Sequence, residues 1–271
     1  MLMMLFGSLV QQIMPNFVTQ RSLYEARERP SKAYSWKAFM LSNIAVELPW
    51  QSLMALFTFI FWYYPIGMYH NAEAAGQTHE RGMLMFLLVL AFFLFTSTFA
   101  HMVIAGIETA EVGSNLSNLL FVLCLLFCGV LATKEALPGF WIFMYRLSPF
   151  TYIIGTMLST GVANTNVICS EIEVVKLLPP TNLTCGEFLT PFSKAFGGDI
   201  YNPDSTTECR YCALSSTNDF LKSVDIDYAN RWRDLGIVWA YVVFNLVAAL
   251  GIYWLARVPS ERKKEEKAER K

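Results

Sequence analysis

The sequence predicts an all-α, polytopic transmembrane helix bundle that carries one small cysteine-containing domain on the non-cytosolic side. Three observations lead there. Long stretches are almost empty of charge. Only 16% of the 271 residues are charged, against about a quarter in an ordinary soluble domain. Basic residues gather in two short segments, whereas the one long polar segment is acidic. Aromatic residues reach 15%, and Trp and Tyr often close the apolar runs, as at a membrane–water boundary. The formal net charge of −1 says nothing about nucleic acid or a membrane surface, and the lack of a basic–aromatic pattern argues against a nucleic-acid partner.

A helix needs about 20 mainly apolar residues to cross a bilayer. Met1 to Met14 has no basic leader and no small-residue cleavage pattern, so a signal peptide is a poor reading of it. At about 1.5 Å per residue it is too short for a crossing, so it reads as the end of a span or as an interfacial helix. Residues 15–38 carry five basic and two acidic side chains and form an expected cytosolic segment. Within it Arg21, Glu25 and Arg29 recur every fourth residue, a laced and solvated face if helical.

Four complete spans follow. Phe39 to Trp62 contains one charge, Glu47, expected to accept a hydrogen bond because an ionisable group in a membrane helix must face protein or water. Met83 to Ile107, Val112 to Thr133 and Leu235 to Ala256 hold no Lys, Arg, Asp or Glu. Residues 138–163 are apolar but hold Arg146, Pro149 and Gly155, and read as a re-entrant or interfacial hairpin. The tail, residues 258–271, is charged, and the stretch from Arg257 to Lys271 has seven basic against four acidic residues. Placing both basic segments in the cytosol puts residues 165–233, with six basic and nine acidic, outside only if the hairpin does not cross.

That outer segment contains Cys169, Cys185, Cys209 and Cys212 and the sequon at Asn182, which suit two disulfides and a glycan in an oxidising compartment. Three pairings are open, and a zinc or redox role for the Cys209–Cys212 pair is the competing reading. A second sequon, Asn115-Leu116-Ser117, begins a span on the expected inner side and suits helix packing. Cys124 and Cys128 lie one turn apart and read as packed free thiols.

Catalytic motifs are missing: there is no G-x-x-x-x-G-K-[ST] loop, G-x-S-x-G elbow or H-E-x-x-H pair. His70, His79 and His101 lie far apart in sequence. No catalytic, metal or cofactor site is expected in this chain. What remains is passage or recognition at the membrane, through surfaces rich in Phe, Leu and Met that favour apolar ligands.

The run QQIMPNFVTQRSLYEARERPSKAYSW, followed by VELPW, WYYPIGMYHNAEAAGQTHERG, FCGV, PGFWIFMYRLSPFTY, CRYCALSSTNDFL and YWLARVP, resembles the second transmembrane domain of the fungal pleiotropic-drug-resistance ABC transporters, which are ABCG-like exporters. The resemblance covers essentially the whole chain. It implies a membrane-spanning part of an ATP-driven exporter of hydrophobic drugs, with a lipid translocator or a non-transporting scaffold as alternatives. It also implies partners outside this chain: nucleotide-binding domains, which would use ATP and Mg²⁺, and the other transmembrane domain. The family's first helix of this half has no counterpart here, so the chain is expected to be a C-terminal fragment, a truncated product or one piece of a split transporter. By position, Tyr24, Glu25, Arg27, Glu28 and Arg29 resemble the coupling segment, and Glu108 and Glu111 the short inner turn. Phe121, Cys124, Leu125 and Cys128 resemble a wall of the drug cavity, and the cysteine domain resembles a disulfide-bearing lid. A plasma-membrane location with a cytosolic C-terminus follows from the same likeness.

Overall fold

The computed structural model describes residues 2–131, 134, 137–180 and 183–269; Asn182 lies outside them. The first helix, α1 (Leu2–Leu23), passes through Pro15 without a break and ends in a five-residue π-turn, Tyr24–Glu28. It therefore runs a further nine residues beyond the apolar stretch that marked it in the sequence. One long stripe explains this: Phe6, Leu9, Val10, Ile13, Met14 and Phe17 are all buried at helical spacing. α2 (Trp36–Tyr63) starts on a Ser35 cap, whose hydroxyl accepts from the Ala38 amide. A short α3 (Met68–Ala74) leads into α4 (Thr78–Gly106).

α4 is the hub of the bundle. Leu84, Leu88, Phe92, Phe95, Ala100 and Ile104 are fully enclosed, with α1, α2 and later helices packed around them. A helix apolar on every side must be surrounded by protein or lipid, and α4 is surrounded by protein. α2 instead turns Trp50, Phe57 and Phe61 outward, as a lipid-facing helix does.

The next helix corrects an expectation. α5 (Ala110–Leu126) has 17 residues, about 25 Å of helix, and stops well before Thr133. The chain turns at Gly129, whose φ of 91° suits glycine, and the Ser148 hydroxyl donates to the Cys124 carbonyl at 2.8 Å, closing the helix end. Near its start α5 presses on its neighbours: a Cβ at Gly113 would lie 2.7 Å from Ile104 Cδ1 and 3.0 Å from Met14 Sδ. Residues 138–163 hold a 3₁₀ turn and two short helices, α6 (Ile142–Leu147) and α7 (Pro149–Val162), broken at Ser148–Pro149. Neither is long enough to cross a bilayer.

The cysteine domain follows: β1 (Val175–Leu177), α8 (Cys185–Phe196), β2 (Asp199–Ile200), β3 (Cys209–Cys212) and α9 (Thr217–Ser223). Its sheet has the antiparallel order β1-β3-β2. Both ends of β3 are tied covalently, Cys209 to Cys185 at the start of α8 and Cys212 to Cys169. That selects one of the three open pairings and leaves neither Cys209 nor Cys212 as a thiol. Thr184 and Glu187 form a capping box on α8. The last helix, α10 (Arg231–Glu269), packs along α4. Among the described residues, three helices are long and apolar enough to cross a membrane: Trp36–Tyr63, Thr78–Gly106 and the stretch Tyr228–Pro259. The chain is a multi-pass membrane protein.

Candidate functional site

The segment marked as coupling is built around a group the sequence placed elsewhere. Arg21 does not lie on a solvated face; it is only 4% exposed. Its guanidinium donates to the carbonyls of Ile104 (2.9 Å), Ile107 (2.8 Å) and Glu108 (2.7 Å). Ile104 lies in the last turn of α4, where its carbonyl also accepts from the Ile107 amide at 3.2 Å, and Ile107 and Glu108 follow directly; a fixed cation there covers carbonyls at the helix end and meets the negative end of the helix dipole. Periodicity alone missed this because the same four-residue spacing serves a surface ladder or a buried contact.

The π-turn hands the chain from α1 to α2. The Arg29 amide reaches the Tyr24 carbonyl at 2.9 Å, five residues back, and the buried Tyr24 ring stacks on Phe39 at 4.5 Å. The Tyr34 hydroxyl donates to the Glu28 carboxylate, which holds the Tyr34 phenol in its neutral form and pushes its pKa up to about 12. Glu25 points the other way, accepting from the Tyr253 hydroxyl at 3.5 Å and facing Arg257 at 3.8 Å. Arg257 also stands 4.0 Å from Glu108. The structure thus brings Tyr24, Glu25, Glu28 and Glu108 into one assembly with α4 and α10. Arg27 and Glu111 are exposed, and Arg29 is half-buried.

The four residues expected at a cavity separate into two pairs. Phe121 and Cys124 line an apolar crevice of about 200 Å³ together with Phe6, Phe95, Phe150 and Tyr241. Phe121 stacks on Phe6 at 4.5 Å and meets Phe150 edge-on at 5.2 Å. Leu125 and Cys128 stand off it, the Cys128 thiol donating to the Leu125 carbonyl at 3.0 Å. Cys124 and Cys128 are both free thiols.

A second surface escaped the sequence reading. Opposite its buried stripe, α1 exposes Ser8, Gln11, Gln12, Asn16, Thr19 and Gln20, all on one face. The signal was present as polar residues at spacings of three and four inside an apolar segment. The lower part of this face borders a polar recess of about 390 Å³ shared with Ser42, Asn43 and Glu47 of α2 and floored by His101. Glu47 accepts from the Gln51 amide at 3.3 Å, and His101 Nδ1 lies 2.8 Å from the Ser97 carbonyl. These contacts leave the Glu47 carboxylate facing α1 across the recess.

Residues 1–161 match the family model described as ABC-2 type transporter. Among curated proteins, the chain is 63% identical to "ABC multidrug transporter atrG" of Aspergillus oryzae over 96% of its length. It is 61% identical to "ABC multidrug transporter C" of Aspergillus fumigatus over 97% of its length, and 56% identical to "ABC multidrug transporter AFR2" of Cryptococcus neoformans over 99%. The chain spans only 17% of the first relative and 18% of the other two.

Proposed function

The chain belongs to the ABC-2 type transporter family, and we propose that it forms the membrane-spanning part of an ATP-driven exporter of hydrophobic compounds. The observation that carries this reading is the polar face of α1. Six polar side chains on one side of a membrane helix are costly against lipid and inexpensive against water or a second membrane domain. With the neighbouring Phe121–Phe150 crevice, that face supplies the mixed wall an amphipathic or apolar cargo needs: a wet side and a side that buries ring surface. The names of the relatives, multidrug transporters, point to the same cargo class.

ATP and Mg²⁺ would act in nucleotide-binding domains outside this chain, which itself transmits motion and holds cargo. A push on Tyr24–Arg29 would pass through the Arg21 guanidinium into the end of α4, and through Glu25 into α10 at Tyr253 and Arg257. Moving the coupling segment would therefore shift the hub helix and the last helix together. Export then requires cargo to bind the outward state more weakly; a differential of about 3 kcal/mol changes affinity about 150-fold. The basic segments lie in the cytosol in this reading, residues 165–233 face outward at the plasma membrane, and the Ser148–Pro149 corner re-enters without crossing.

The test uses the assembled transporter containing this chain, expressed in a host that lacks its own efflux of a fluorescent hydrophobic dye. ATP-dependent dye efflux is expected, and it should fail when Arg27→Glu and Glu28→Arg are introduced together while surface expression persists. Dye retention by the wild-type assembly in energised cells would overturn the reading. Cysteine labelling should find residue 190 outside and residue 265 inside.

A further inference from the structure

A large recess at the cysteine-domain end has no part in the reading above. It has a volume of about 1210 Å³ and lies between α6–α7, the loop around Asp225 and the first turns of α10. Its lining holds Lys134, Arg146, Lys222, Arg231 and Arg233 against Asp225, Asp227 and Asp234, an excess of positive charge. Several of these charges are already matched. Lys134 pairs with Asp225 at 2.6 Å, Arg231 with Glu80 at 2.6 Å and Arg233 with Asp234 at 2.9 Å. Arg146 and Lys222 have no ion-pair partner among the described residues and line the same recess.

The recess and the apolar crevice follow one another along α10. Ile237 lines the first, and Tyr241, Phe244 and Asn245 line the second. These four positions share one face of α10 and lead about 12 Å along it. Arg146 and Leu147 straddle the same boundary from the other side: Arg146 faces the recess and Leu147 the crevice, and the Leu147 carbonyl accepts from the Tyr241 hydroxyl at 2.8 Å. At the far end Asn245 is 2% exposed and its amide nitrogen has no hydrogen-bond partner, a donor turned into an otherwise apolar space. A buried donor without a partner costs about 1–3 kcal/mol, and an oxygen on an occupant removes that cost.

We propose that recess and crevice form one site for a membrane phospholipid. The headgroup phosphate sits against Arg146 and Lys222, and an acyl chain follows the Ile237–Tyr241–Phe244 face of α10 into the crevice. Charge-assisted contacts hold the phosphate, and aromatic surface around Phe150 and Phe121 covers the chain. Phospholipid is favoured over a soluble anion because the cationic half is followed along the same face of α10 by an apolar half, which a free phosphate has no means to fill. The site requires only that the bundle lie in a bilayer, and its apolar half is the same crevice that walls the cargo in the exporter reading.

The experiment places the chain, in the assembly in which it is expressed, in phosphatidylcholine vesicles containing phosphatidylcholine with a photoactivatable acyl chain. After irradiation, label is mapped by peptide mass. Label is expected on Tyr241, Phe244 or Phe150 at a level above that on Phe57 and Phe61, which face outward from α2. In an Arg146→Gln, Lys222→Gln double variant the crevice label should fall at least about tenfold, since both charge-assisted contacts to the phosphate are lost, with α2 label unchanged as the measure of correct insertion. A diacylglycerol probe with the same chain needs no variant and should label the crevice poorly. Crevice label at or below the α2 level, equal label from diacylglycerol, or label unchanged in a correctly inserted double variant would each overturn the proposal. So would loss of label on adding inorganic phosphate, which would mark a site for free anions.

Discussion

The two ends of this bundle use the same device and then diverge. At the end that carries the π-turn Arg21 covers the terminal carbonyls of α4. At the cysteine-domain end Arg81, 1% exposed, donates to the Ala163 carbonyl at 2.9 Å just past α7 and stacks on Tyr228 at 5.1 Å. Each arginine answers the same problem, a helix terminus enclosed where water does not reach it. Beyond that the π-turn end is held by hydrogen bonds, ion pairs and ring stacking, whereas the cysteine-domain end adds two disulfides. The cysteine domain needs them: its buried cluster is only Cys185, Leu189, Cys209 and Tyr211. An end tied by non-covalent contacts can exchange them during a cycle; one stapled at both ends of a three-stranded sheet moves as a unit.

The largest expected effect breaks the two disulfide staples. Sequence separations of 43 and 24 residues correspond to about 4 and 3.5 kcal/mol of loop-closure stabilisation. Cys169→Ser with Cys212→Ser should therefore make residues 165–233 protease-sensitive, and Cys185→Ser with Cys209→Ser nearly as much. The helices should stay resistant; limited proteolysis in detergent reads both regions at once, and equal loss of the helices would remove the division between the two ends. The next effect is Arg21→Ala, which strands the Ile107 and Glu108 carbonyls while Ile104 keeps its bond from the Ile107 amide, and should cost about 2 kcal/mol or more. Arg21→Lys, with a single charged centre in place of a planar fork, should retain insertion yet lower cargo moved per ATP hydrolysed. An unchanged coupling ratio in both variants would separate Arg21 from motion.

The smallest effect is in pH, and it runs in opposite directions at the two ends. Ser215 and Ser216 hydroxyls donate to Asp219, holding its carboxyl below the ordinary aspartate range. A lowered folded value means that this contribution is complete above about pH 4 and fades as pH falls further. Tyr34, raised to about 12 by its bond to Glu28, contributes fully below about pH 10 and loses that contribution as pH climbs toward 12. Hydrogen exchange should loosen α9 first in acid and the Tyr34 turn first in alkali. Asp219→Asn and Tyr34→Phe should each remove one of these responses and leave the other.

How far the sequence could be read depended on the range of the forces involved. α4 was legible from Met83 onward because a run such as LMFLLVLAFFLFTSTF has no soluble alternative, whereas its polar first turn from Thr78 read as loop. α5 was drawn too long, since residues 127–131 are as apolar as those before them. Ser148 and Gly129 end the helix, and hydropathy is blind to both. α1 was drawn too short for the converse reason: its exposed Gln and Asn residues resemble a loop until the buried stripe beneath them is seen. Tyr24, Glu25, Arg27, Glu28 and Arg29 were singled out for coupling by resemblance alone, while Arg21, the residue tied to α4, was assigned to a solvated face.

By itself, then, the sequence determined that this chain lies in a membrane, which segments are greasy enough to do so, and that four cysteines lie in one polar domain. Those properties follow from composition over about 20 residues, where water and hydrocarbon differ by many kcal/mol. Only the tertiary structure decided which cysteines pair, that α4 is enclosed while α2 faces outward, and where Arg21 and Arg81 direct their charge. Each of those depends on atoms 24 to 87 residues apart in sequence meeting within a few ångströms, a coincidence that no local pattern encodes.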